Sequence, residues 1–158
     1  MSGLFLGADP GLHGAVALLD ARGGLYMVED MPILARGRGR VKYEVDAAAL
    51  TRLLRPHAAD IRLGMVEAVT AMPRQGSAST FSLGHSLGVL TGVLQALGIP
   101  LQLVSPSAWK RAAGLSSDKE LTRAAAIRLW PDAPLGRKKD NDRAEALLLA
   151  RQAFLTHA

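Results

Sequence analysis

Four acids far apart in the chain have the types and settings needed for metal-dependent chemistry. Asp9 closes the apolar run Leu4-Phe5-Leu6-Gly7-Ala8 and is followed by Pro10-Gly11, and Glu67 closes Leu63-Gly64-Met65-Val66. Asp142 and Glu145 stand three residues apart, a spacing that puts both on one face of a helix. Carboxylates delivered from two strand ends and a helix make a site for hard divalent cations, which take oxygen ligands. Hydrolysis of a phosphodiester needs an activated water and stabilisation of charge on the phosphate oxygens. Two divalent ions about 3.5–4 Å apart provide both. The expectation is an Mg2+ site with two ions per active site, Mn2+ substituting, and Asp9, Glu67, Asp142 and Glu145 as ligands.

Each acid also has a plainer reading. Asp9 before Pro10-Gly11 suits an Asx turn, Glu67 suits a strand-end partner for an arginine, and Asp142 and Glu145 suit the first turn of a helix. Asp140 competes for that last role. The small and apolar neighbours Ala144, Ala146 and Leu147 favour an inward-facing Glu145, and an inward acid needs a partner because an unpaired buried charge is costly. Histidine is not required. His13 and His85 are expected in turn or helix packing, and His57 and His157 at the surface or at helix ends.

The elements that must position these acids follow from pattern. Apolar segments at 4–8, 15–19 and 25–31, separated by Pro10-Gly11 and Gly23-Gly24, predict an antiparallel three-strand meander. Asp46 is an N-cap candidate for a helix carrying Leu50, Leu53 and Leu54. Segment 61–66 reads as a buried strand, 81–97 as a helix with Gly84, Gly88 and Gly92 at four-residue spacing, and 101–104 as another strand. That glycine stripe is expected to serve close core packing, with a dimer interface as the alternative. Ser117 and Glu120 form a capping-box pattern for a helix ending at Trp130-Pro131. A final helix begins near Asp140. This order predicts an α/β fold with a mixed five-stranded sheet flanked by helices.

The chain has 158 residues and 49% hydrophobic content, enough for one domain with a real core and against disorder. It contains no cysteine, which excludes disulfides and thiolate chemistry and fits a reducing compartment. Neither a leader nor a membrane span is read, so a cytoplasmic location is expected. The net charge of +5 and pI near 10.1 favour an anionic partner such as nucleic acid. Two basic clusters, Arg36-Arg38-Arg40-Lys42 and Arg137-Lys138-Lys139, each suit a solvated charge cluster when taken alone; beside the acid set they are expected to hold DNA phosphates.

The ordered motifs Asp9-Pro10-Gly11-Leu12-His13-Gly14-Ala15, Val66-Glu67, Met72-Pro73-Arg74-Gln75-Gly76, Ser105-Pro106-Ser107-Ala108-Trp109-Lys110, Asp118-Lys119 and Asp142-Arg143-Ala144-Glu145-Ala146-Leu147 resemble the RuvC-type Holliday-junction resolvases, especially the phage and prophage RuvC-like endonucleases. The likeness runs from Leu4 to about Ala150. It implies an RNase H-like fold, a homodimer, and paired symmetric nicks in four-way DNA junctions that leave 5′-phosphate and 3′-hydroxyl ends. By position it implies that Asp9, Glu67, Asp142 and Glu145 are the catalytic, metal-binding acids and that Lys110 and Lys119 are basic groups near the scissile phosphate.

The chain departs from the family at several points. Glu145 replaces the aspartate of bacterial housekeeping enzymes, and Thr70 stands where those enzymes carry an aromatic wedge. Met72 and Phe81 are left as candidates for opening the junction. Arg74 occupies a place where the phage-type pattern often has glycine, and with Gln75 is a candidate DNA contact. Three other classes are carried: a less selective branched-DNA nuclease, a catalytically idle junction-binding protein, and an ATPase-like phosphate loop at Asp9-Pro10-Gly11. The last usually needs a second lobe, for which the chain has no room.

Overall fold

The structure is a computed structural model and describes residues 3–37, 39 and 41–157. Arg38 and Arg40 of the first basic cluster lie outside the described residues. Strands β1 (Leu4–Asp9), β2 (Ala15–Leu19) and β3 (Leu25–Asp30) form the expected antiparallel meander. A hairpin of two three-residue strands follows, β4 (Ile33–Ala35) and β5 (Tyr43–Val45), with Arg36 and Lys42 of the first basic cluster just inside it. β6 (Ile61–Glu67) joins β1 in parallel and β7 (Leu101–Val104) joins β6 in parallel, giving the order β3-β2-β1-β6-β7. β1 is central, and all six of its residues are buried.

The two faces of the sheet are separate cores, as period-2 alternation requires. Leu4, Leu6, Ala8, Val16, Leu18 and Val66 face one side with α1 (Ala47–Leu54) and α2 (Ser77–Ala96). Beyond β7 come α3 (Pro106–Ala112), α4 (Lys119–Leu129) and α5 (Asn141–His157). Phe5, Ala15, Ala17, Leu19 and Met65 face this second side, against α4 and α5. Phe5, Gly7 and Asp9 therefore share the α5 face, and the same alternation in β6 carries Leu63 and Met65 on to Glu67.

α5 crosses β1 so closely that a Cβ on Gly7 would collide with the carbonyl oxygen of Ala146 and the amide nitrogen of Ala150. The helix runs opposite to the strand. The Phe5 ring meets Phe154 and His157, Gly7 meets Ala146 and Ala150, and Asp9 reaches Asp142 and Glu145. Two strand residues advance about 6.6 Å and four helical residues about 6 Å. The matched pitch brings the start of α5 to the end of β1.

Several expectations are corrected. Apart from the adjoining backbone of α2 itself, a Cβ at Gly84, Gly88 or Gly92 would meet no atom of the described residues within 4 Å; core packing does not explain them. The close approach is made by Gly7 instead. α2 begins at Ser77 after Gly76 rather than at 81, because its first turn is polar and carries no hydrophobic period. Asp118, not Ser117, caps α4: its carboxylate accepts from the amides of Glu120 and Leu121 at 2.9 and 3.2 Å. The β4–β5 hairpin was not expected, since its strands are too short and too exposed to show alternation. Asp46 does cap α1, accepting from Ala49 at 2.9 Å. Among the described residues no helix is long and apolar enough to cross a membrane.

Candidate active site

Carboxylate oxygens of Asp9, Asp142 and Glu145 lie within 4.8 Å of one another. β1 supplies the first and α5 the other two. Asp9 is 8% exposed and Glu145 5%, so the cluster is set into the molecule rather than spread over its surface. Glu67 ends the strand beside β1, one residue beyond the Ala8–Val66 pairing, and is half-buried. It lies outside the tight trio but close enough for its charge to act on Asp9.

The cost of gathering these charges appears in their protonation. Burial, followed by the charges of Glu145, Asp142 and Glu67, pushes the Asp9 carboxyl well above the usual carboxylate range. Burial also raises Asp142, against the opposing hydrogen bond from Asp9 and the Lys119 charge. Glu67 is raised by burial, and the indole N–H of Trp109 counteracts this. Asp9 and Asp142 therefore titrate together, with Asp9 the one that retains a proton more readily.

Two cations meet the acids differently. Lys110, in the short helix α3, places Nζ 3.1 Å from Glu145 Oε1 with both side chains largely buried. Lys119 opens α4 and lines a cleft of about 690 Å³ together with His13, Asp30, Arg137, Lys139, Asn141 and Asp142. The Asp118 cap explains how a cation is tolerated at this helix start. His13 sits in the turn after β1, exposed at the cleft, and is not among the three residues that gather as a ligand set. His85 stacks on Phe81 with ring centroids 6.2 Å apart.

The remaining basic candidates divide by partner. Arg137 is held by Asp140, donating to it at 2.8 Å from both Nη2 and its own amide, and this pairing holds Asp140 below the usual carboxylate range. Asp140 thus locks the turn before α5 and is not part of the acid cluster. Lys138 and Lys139 are exposed. Arg36 pairs with Glu44 at 3.6 Å and lies over the Phe81 ring at 5.7 Å; Lys42 is exposed beside them. Arg74 has φ 68, the left-handed region that glycine adopts freely. Gln75 is engaged within its own segment, accepting from Met72 N and donating to Ser79 Oγ, each at 3.1 Å. Met72 is 64% exposed and Phe81 57%.

Two supporting contacts had no signal in the sequence. Arg143 clamps Asp30 at the end of β3 with bonds of 2.6 and 3.0 Å, fixing the first turn of α5 to the sheet. Trp109 donates its indole N–H to Glu67 Oε2 at 2.7 Å. Both join residues from separate parts of the chain.

The donor set fits hard divalent cations: it is all oxygen, multiply acidic, and strained by mutual repulsion that a cation would relieve. Asp9, Asp142 and Glu145 would hold such an ion, with Glu67 at its border.

No family model and no curated protein sequence matches the chain. Solved structures do. Thermus thermophilus RuvC in complex with a Holliday junction substrate aligns at TM-score 0.68 with 18% identity, covering 98% of this chain and 95% of that one. A second Thermus thermophilus RuvC structure aligns at TM-score 0.58 with 19% identity and the same coverage. At such identity the likeness speaks for the fold: the chain folds as RuvC does, an RNase H-like domain with a mixed five-stranded sheet flanked by helices.

Proposed function

We propose that the protein is a divalent-metal-dependent endonuclease that resolves four-way DNA junctions by paired nicks. The observation that carries this reading is the meeting of Asp9, Asp142 and Glu145, with Glu67 beside them, on a RuvC fold. Asp9, Asp142 and Glu145 hold the cation and Glu67 completes the acidic set. Mg2+ is the expected ion, two per site, and Mn2+ its substitute. Bound there, divalent ions supply an activated water and neutralise charge on the phosphate.

The protein's own groups then have distinct tasks. Burial of Asp9 and Glu145 excludes bulk water and strengthens every charge interaction in the site. Lys119 faces the cleft from a fixed helix start and stabilises the phosphoryl oxygens as negative charge builds on them. Lys110 neutralises Glu145 at 3.1 Å and would be free to serve the scissile phosphate were that carboxylate to hold a cation. Lys138, Lys139, Arg137 and Lys42, with Arg36 and the Arg74-Gln75 turn, hold the DNA backbone outside the site. Arg38 and Arg40 extend the same set.

Paired nicks on opposite strands require two sites, and so a homodimer. The glycine face of α2 suits such an interface, since a Cβ added at Gly84, Gly88 or Gly92 would meet no described atom outside the adjoining backbone of α2, which leaves room for a close helix approach. The test is incubation with an end-labelled mobile four-way junction and Mg2+, mapping cuts on all four strands beside three-way and linear competitors. Symmetric cuts confined to the four-way substrate support the reading. Equal cutting of three-way or linear DNA replaces it with a less selective nuclease, and binding without cutting in Mg2+ or Mn2+ replaces it with a junction-binding protein.

A further inference from the structure

Glu67 is the acid that stands apart from the trio, and it is also the one held by a neutral hydrogen-bond donor. Trp109 is 2% exposed, and a buried indole N–H needs an acceptor. A backbone carbonyl suffices for that purpose: Trp130, the other tryptophan, donates to Gly23 O at 3.0 Å. Trp109 instead donates to Glu67 Oε2 at 2.7 Å, in the short range of a charge-assisted bond. The ring is packed into the same core as Met65, two residues before Glu67 on the same face of β6.

The helix that carries Trp109 is itself fixed. Ser105 caps α3 through the Ala108 amide at 3.3 Å, and the next residue after the tryptophan, Lys110, reaches Glu145 at 3.1 Å. A glutamate side chain has several rotatable bonds, and ordering it at the moment of cation binding costs conformational entropy. A donor anchored in the core removes much of that freedom beforehand. It occupies one lone pair of one oxygen and leaves the others available, since a carboxylate offers about four acceptor sites.

We propose that Trp109 is a positioning residue that presents Glu67 to the divalent cation held by Asp9, Asp142 and Glu145. This rests on the metal-site reading above. Loss of an outer hydrogen bond to a ligand typically weakens metal affinity about 10–100-fold.

The test is Mn2+ binding to the DNA-free protein, followed by electron paramagnetic resonance and calorimetry, for wild type and Trp109→Phe. The variant is expected to bind about 10-fold more weakly while its circular dichroism stays that of wild type. Equal affinity in a folded variant overturns the proposal. A second measurement needs no core substitution: in 15N-labelled wild type, Mg2+ saturation is expected to shift the Trp109 indole resonance and leave that of Trp130 in place. Glu67→Gln identifies the Trp109 signal, because it changes the acceptor's charge. Mg2+ saturation seen by calorimetry with both indole signals unmoved overturns the role of Trp109 and leaves the metal site standing. Wild type that binds neither ion removes both.

Discussion

Asp9 is buried among three other acids, and its protonation ties stability to pH. Its folded-state pKa lies above the unfolded value of about 3.9. Its stabilising contribution is therefore fully present below that value and is lost as pH rises through the folded pKa. Asp142 and Glu67 shift the same way. Metal-free protein should lose stability as pH rises above the ordinary carboxylate range, and Mg2+ should restore it. Asp9→Asn should raise the melting temperature in chelator at pH 8, about 2–4 °C for each kcal/mol of relieved repulsion. It should also lose the Mg2+ effect, abolish cleavage and leave junction binding largely intact. Thermal melts with and without Mg2+ at pH 5 and pH 8 check the first part and gel-shift with cleavage assays the second. Arg74 makes a separate prediction. Its φ of 68 strains a side-chain-bearing residue, so Arg74→Gly should stabilise the chain by about 0.5–1 kcal/mol in urea unfolding.

The packing of α5 on β1 is what brings the cluster together. Gly7→Ala would drive a Cβ into the backbone of Ala146 and Ala150, a collision with no flexible side chain to yield. A cost of about 3 kcal/mol is expected from urea unfolding, with weaker Mn2+ binding because Asp142 and Glu145 move with α5. Much of this arrangement is legible in the sequence. The apolar runs ending at Asp9 and Glu67 predict strand ends, and the spacing of Asp142 and Glu145 predicts a shared helix face. Gly7 has no such signal, because a glycine inside a strand reads as a weakness until the opposing helix is known. Trp109 with Glu67 and Arg143 with Asp30 are also invisible, being bonds between segments 42 and 113 residues apart. The β4–β5 hairpin is missed because three-residue strands carry no readable period.

The molecule as a whole joins a basic surface to an acidic centre. Its net charge of +5 hides a division: Lys119, Arg137 and Lys139 share the cleft wall with Asp142, while Asp9 and Glu145 lie buried beside it. Replacing Lys138 and Lys139 by alanine should weaken junction binding and make the dependence of log affinity on log salt shallower, by about 0.9 for each phosphate no longer neutralised. A salt titration by fluorescence anisotropy reads this directly, and an unchanged slope would remove both residues from the DNA surface. Gly88→Glu should leave the monomer folded, because no described atom outside the adjoining backbone of α2 lies within 4 Å of the added carbon, yet prevent a dimer formed through α2; sedimentation velocity distinguishes the two states. The most direct test of the central claim is anomalous diffraction from Mn2+-soaked crystals of the DNA-free protein. An anomalous peak within bonding distance of Asp9, Asp142 and Glu145, with Lys110 displaced from Glu145, is the predicted result. Saturating Mn2+ with no peak among those three carboxylates would contradict it.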